Sequence, residues 1–359
     1  VNGYGRLSHD HQDIYANEFP PVHIRRGHSK RRSDLLNGRR GNWTDPSFWT
    51  HGVPDYYKSA YVPGGSVTIS SGDQQSGALL LGQEGGEAHL SVNGGSLNID
   101  GSCGESGQFR IGDASNASVI HQGGTIWAWS AYLGYQTGAT GTYTIGTGAV
   151  FQPNRLFVGY YGVGDLVQNG GDVYTSELYV GSYETSSGSK YTLNLGQLIT
   201  EKVVLGCGGN QVARFHQYGG DHWMHGSFSS ELIIGSGRDS TGIYNLYGGF
   251  LHGEAAKIIV GCSGAGVFYQ QTGSVDVSEL NLSEFEGDGL YTLEGGTLKT
   301  RMQRIGIMGK GDFRHYGGTN SASSLSLGET AFGQGIYTFG SEALPAVSLT
   351  TAYFVAGIK

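Results

Sequence analysis

The chain holds only three cysteines, three methionines and seven prolines in 359 residues, and charged side chains make up just 14% of it. Cys103, Cys207 and Cys262, an odd set with no C-x-x-C pair, exclude a disulfide framework and a zinc ribbon. No run of about eighteen apolar residues exists, so no transmembrane span is expected. Nowhere does an apolar i, i+3, i+4, i+7 pattern persist for three turns, which excludes long amphipathic helices. Gly-x-Gly pairs abound, but none leads into a helix and lysine, so no phosphate-cradling loop is present, and no convincing nucleophile elbow either.

What is abundant is glycine, at 64 residues, with 22 tyrosines, and the glycines fall at regular places. A short apolar strand ending in glycine recurs at Leu79-Leu-Leu-Gly82, Phe109-Arg-Ile-Gly112, Ala131-Tyr-Leu-Gly134 and onward to Leu325-Ser-Leu-Gly328. There are eleven copies, spaced 22 to 30 residues apart, one of which, Leu280-Asn-Leu-Ser283, ends in serine. A second anchor, two apolar or aromatic residues around a spacer and then a glycine turn, falls between successive copies, as in Tyr291-Thr-Leu-Glu-Gly-Gly296.

Self-similarity at this period signals a solenoid, and two-residue alternation makes each coil all strand. Some 22 residues hold about three short strands with tight turns, which fits one coil of a parallel β-helix and is too short for a propeller blade. The expected fold is therefore all-β: a single parallel β-helix, right-handed, three strands per coil, about eleven coils and on the order of 50 Å long. Residues 1–41 read as a basic N-terminal arm, 42–74 as cap and coil entry, 75–342 as the repeats, and 343–359 as a terminal partial coil.

The inward positions expose a longer period. Val119/His121, Leu166/Gln168, Phe215/Gln217, Phe268/Gln270 and Phe313/His315 alternate with Tyr143/Ile145, Tyr191/Leu193, Tyr244/Leu246, Tyr291/Leu293 and Tyr337/Phe339. The unit is a pair of coils. Each buried glutamine or histidine must find a hydrogen-bond partner inside the bore, because burying one unpaired costs a few kcal/mol.

The arm carries eight basic against four acidic residues, leaving fourteen basic against twenty-six acidic in the rest. Such an arm is expected to lie on an acidic surface of its own rod or a neighbour, with nucleic acid not expected as a partner. In the entry segment, Trp43, Phe48 and Trp49 are expected to plug the first rung, since an open solenoid end exposes both core and strand edge. An Asn42-Trp, Trp49, Gly52-Val-Pro54 and Val67-Thr-Ile69 entry, followed by Leu-x-Leu-Gly and Gly-Gly-x-Leu coils, resembles the β-solenoid passenger regions of secreted, autotransporter-like bacterial adhesins and surface proteins. The resemblance spans about residues 42–342. It implies an extracellular or cell-surface protein and carries over no catalytic residue.

Function is read from surfaces. The middle residue of the first anchor should face outward, yet Tyr132, Phe157, Tyr179, Val204, Ile233 and Ile259 put an apolar line on consecutive coils. A stripe of that length marks an interaction site, and the arm, a second subunit or an inter-coil loop is expected to cover it. Phe354 and Val355, in an imitation of the first anchor near residue 357, offer a second association surface. The expected role is an extracellular structural or adhesive β-solenoid that self-associates into an oligomer or filament.

The alternative is a polysaccharide-active lyase or hydrolase, or a carbohydrate-binding β-helix. Trp127 and Trp129, on one face, and Trp223 are the residues suited to stacking on sugar rings. Asp221, His225 and His252 are candidate ligands of a transition metal, without a recognised metal-site spacing. No cofactor is expected beyond a calcium ion that the acidic turn Glu284-Phe-Glu-Gly-Asp288 has carboxylates to hold. Arg301, Arg304 and Arg314 are candidates for lyase or hydrolase chemistry, with Asp312 and Glu294 near in sequence.

Overall fold

The computed structural model describes residues 32–35, 38–83, 85–101, 107–225, 230–340 and 348–356. Residues 1–31, which hold most of the arm, and Cys103 lie outside them. The described chain is a parallel β-solenoid of about 12 turns, 2% helical. It has three faces. A first face runs through Gly65–Ile69, Ala88–Val92, Val212–Gln217, Thr241–Leu246, Ala265–Gln270, Gly289–Leu293, Lys310–His315 and Gln334–Phe339. The second contains Ser96–Ile99 and Asp221–Met224, and the third Gln108–Ile111 and Glu231–Ile234. In the middle of the rod the corners are so tight that single strands, Ala117–Leu133, Thr140–Val158, Val163–Val180 and Lys190–Leu205, run through all three faces.

Every named strand pairs in parallel with the equivalent strand one coil away, for instance Phe215 with Tyr244 and Leu232 with Ile258. Coil entry lies further upstream than the cap segment: Arg32–Asp34 already pairs with Ser59–Val62. Trp43 and Trp49 sit in the core with their rings edge-to-face at 5.2 Å, and Phe48 packs against it.

The bore is filled by alternation. On the first face, rings stack in one ladder from Tyr191 through Phe215, Tyr244, Phe268, Tyr291 and Phe313 to Tyr337, at centroid spacings of 4.6 to 5.0 Å. The two-coil period has a polar cause. Three of the tyrosine hydroxyls donate back to a glutamine amide of the preceding coil: Tyr191 to Gln168 at 2.6 Å, Tyr244 to Gln217 at 2.7 Å, Tyr291 to Gln270 at 2.6 Å. The same glutamines use their NH₂ groups on two turn carbonyls, as Gln270 does on Gly273 and Thr297 at 3.3 and 3.0 Å.

His121 and His315 replace glutamine in this column. The Nε2 of His121 lies 3.1 Å from the Gly124 carbonyl, which only accepts, so Nδ1 takes the Tyr143 hydroxyl proton at 3.0 Å. These are core residues, satisfied as the alternation required.

The turns depend on glycine where chain stacks on chain. Gly296 has φ +76°, and a Cβ there would sit 2.1 Å from the carbonyl oxygen of Gly273 on the preceding coil. Gly296→Ala therefore combines left-handed strain with a backbone clash. We expect it to lower stability by at least about 2 kcal/mol, read as a fall in the urea midpoint; an unchanged midpoint would mean the turns are not in contact.

Candidate functional site

Two of the outward surfaces carry the candidate site residues, and they differ in how much they offer a partner. The outward line on the third face is an outer row of contacts. Tyr132, Phe157 and Tyr179 stack at 4.9 and 5.0 Å, and Tyr160 from a turn packs on Tyr132 and Phe157 at 5.1 and 5.3 Å. Val204, Ile233 and Ile259 are only 4%, 8% and 4% exposed, with Tyr179, Cys207 and Cys262 packed against them. Turns of the same chain thus fold back over the line. The turn geometry set by Gly206 and Gly261, at φ +74° and +76°, brings each following cysteine down onto it.

Burial pushes the Cys207 thiol up to about 12 and raises that of Cys262 too, so both are neutral near pH 7. They are unpaired and two coils apart. The line ends at Asn281, 1% exposed with neither amide atom bonded to the protein. Phe354 and Val355, by contrast, are exposed on the last described strand, Ser348–Ala356.

The second face carries the other surface. Alternation sends Ile126, Phe151, Val173, Leu198, His222 and Leu251 inward and their neighbours outward. The outward neighbours make one line: Trp127 pairs with Gln152, Tyr174 with Ile199, Ile199 with Trp223, and Trp223 with His252. Phe151 pairs with Val173, which sets Gln152 beside Tyr174. Trp129 and Trp223 are 55% and 43% exposed, and Trp223 stacks on His252 at 4.4 Å.

An open groove on this face is lined by Trp127, Trp129, Tyr174, Glu201 and His225, with Gln152 and Asn154 between them. It carries one carboxylate, one imidazole and no lysine or arginine. Two threonines of its floor are hydrogen-bonded, Thr200 Oγ1 to His222 Nε2 in the bore at 3.0 Å and Thr175 Oγ1 to the Asn154 carbonyl at 3.2 Å. His222, in the bore, is depressed to about 3 by burial and by the nearby His252, so it is a neutral packing residue.

The expected metal set does not assemble. His225 lines the groove with Trp127, whereas His252 stacks on Trp223 and Asp221 pairs with Phe250. Among the described residues no three His, Cys, Asp or Glu side chains converge to hold a metal ion, the turn at Glu284 included. Glu284 instead accepts Lys257 at 3.3 Å. Arg301, Arg304 and Arg314 each face a carboxylate, Glu279 at 3.8 Å, Glu329 at 3.6 Å and Asp312 at 2.9 Å, and Glu294 instead takes the Tyr269 hydroxyl. Among the described residues no helix is long and apolar enough to cross a membrane.

Fold and surface together define a parallel β-solenoid with an aromatic face. Compared with protein-family models, with curated proteins and with solved structures, the chain matches none of them.

Proposed function

We propose that the protein is an exported, adhesive β-solenoid of the extracellular space or cell surface that binds polysaccharide through its second face, without cleaving it. The observation that carries this reading is the convergence of Trp127, Trp129 and Tyr174 on one open groove edged by Gln152, Asn154 and Glu201. Exposed aromatic rings offer the apolar faces of sugars a stacking surface, and short polar groups beside them bond the hydroxyls. Binding is favoured over catalysis because glycoside hydrolysis needs two carboxylates flanking the scissile bond, and the groove has Glu201 alone.

The test is a panel of immobilised neutral and acidic polysaccharides, with reducing ends and unsaturated products assayed in parallel. Trp129→Ala, at an exposed position, is expected to weaken binding roughly tenfold without changing thermal stability. Retention of full affinity in that variant, or release of products, sinks the reading.

Self-association is the second reading, and a separate observation favours it. Phe339 and Phe354, 54% and 56% exposed, continue inward columns of the bore on the last described coil. Stacked residues of this kind take a cover, from further chain or from a second copy. Sedimentation of the intact chain with Phe354→Ser separates these: loss of an oligomer supports association through this end, and a monomer in both samples removes it.

A further inference from the structure

We propose that Lys257 and Asn281 join in an isopeptide bond, a covalent link between two successive coils that forms with release of ammonia and with Glu284 as the proton carrier. The three residues belong to the third face and the turn after it, so the inference stands apart from the glycan reading of the second face.

Placement comes from the register. Lys257 pairs with Glu279 and Ile259 with Asn281, which sets the asparagine one rung on and two residues along from the lysine on the same outward surface. Diagonal neighbours of this kind are about 7–8 Å apart and within reach of a long side chain. The lysine is drawn in that direction. Its Nζ lies 3.3 Å from Glu284 Oε1, in the turn three residues past Asn281, and 3.3 Å from Glu231 Oε1 on the preceding coil.

The chemistry comes from what is left unpaired. Asn281 is 1% exposed with neither Oδ1 nor Nδ2 hydrogen-bonded, and Glu284 Oε2 is buried and unbonded as well. An unpaired primary amide is costly to bury, and turning it into a secondary amide removes one of its donors along with the lysine's charge. Ile259, the rung neighbour of Asn281, is 4% exposed, so the amide sits against apolar surface from which water is kept.

Burial favours the neutral amine at Lys257, but Glu284 and Glu231 outweigh it and hold the ammonium above its usual pKa. The reaction therefore begins inside the ion pair, where Glu284 takes one proton from Nζ. The amine attacks Cγ of Asn281 and the Nζ–Cγ bond forms. Glu284 hands its proton to Nδ2 as the Cγ–Nδ2 bond breaks, then takes the second Nζ proton, which leaves with the ammonia as an ammonium ion. No oxidant or cofactor enters the balance.

The test is the mass of the intact, folded chain, which is expected to fall short of the sequence mass by one ammonia. In a tryptic digest, peptides 239–257 and 258–299 should be replaced by a single species spanning 239–299 with the same deficit, because an acylated Lys257 is not cut. Glu284→Gln, nearly unchanged in size, should keep the full sequence mass and release the two peptides separately. Asn281→Asp should lose one water in place of the ammonia. Full mass in the unaltered chain after days in the folded state overturns the proposal whether or not any variant folds. An ammonia deficit that persists in Lys257→Arg overturns it too, since the loss would then come from elsewhere.

Discussion

Gln270→Leu is expected to destabilise the solenoid by about 3 kcal/mol, more than its change in size suggests. The substitution leaves the buried Tyr291 hydroxyl without its acceptor and takes the side-chain donor from the Gly273 and Thr297 carbonyls, of which Gly273 keeps the Thr297 N–H; an orphaned buried hydroxyl costs about 1–3 kcal/mol and each further lost bond about 0.5–1.5 kcal/mol. Tyr291→Phe, which orphans only one amide oxygen, should cost about 1–2 kcal/mol. In the double variant the hydroxyl is gone along with its acceptor, so the combined loss should fall short of the sum by more than about 1 kcal/mol. Urea denaturation of the four proteins, followed by amide exchange on neighbouring coils, gives the coupling directly. Strict additivity would mean the phenol and the amide are not bonded.

Acid is expected to unfold the protein through its core histidines before its carboxylates titrate. Burial depresses His121 to about 4 and His222 to about 3, against an ordinary 6.5. The unfolded chain then binds more protons than the folded one below pH 6.5, so stability is full above that pH and is lost as pH falls toward the folded values. Each site contributes about 1.4 kcal/mol per pH unit in that window, or about 3 kcal/mol by pH 4. His121→Gln offers an internal control, because Gln168, Gln217 and Gln270 fill the same column and make the same two bonds, to the carbonyl three residues on and from the tyrosine hydroxyl of the next coil. That variant should keep its stability at pH 7 and lose about one proton's worth of slope between pH 6.5 and 4; an unchanged slope would mean His121 is not buried neutral.

The bore was legible in the sequence because inward residues alternate strictly and the strand period is two. The alternation of Tyr143, Tyr191, Tyr244 and Tyr291 with Gln168, Gln217 and Gln270 stated the hydrogen-bond problem, and the stacked register solves it. The groove was only half legible. Trp127 and Trp129 read as a pair, but His225 lies almost a hundred residues away and reaches them by four steps of register. Coil lengths that vary from 22 to 30 residues, and register breaks such as that between Ile145 and Val150, hide such alignments from inspection. Which of the expected covers lies on the outer line was not legible at all. Cys207 and Cys262 pack against Val204, Ile233 and Ile259 from turns that follow positive-φ glycines, and a hydropathy pattern carries no trace of that path.

The pairing of each phenol with the amide one coil back also constrains how such a chain can grow or shrink. Excising a single coil between Val212 and Gly340 would bring two tyrosine coils, or two glutamine coils, into contact. One phenol would then lack an acceptor, or one amide oxygen its donor. Gain or loss of two coils restores every pair, so the heritable module of this part of the rod is a segment of about 47 residues, and a ruler built from it lengthens in steps of about 9.6 Å.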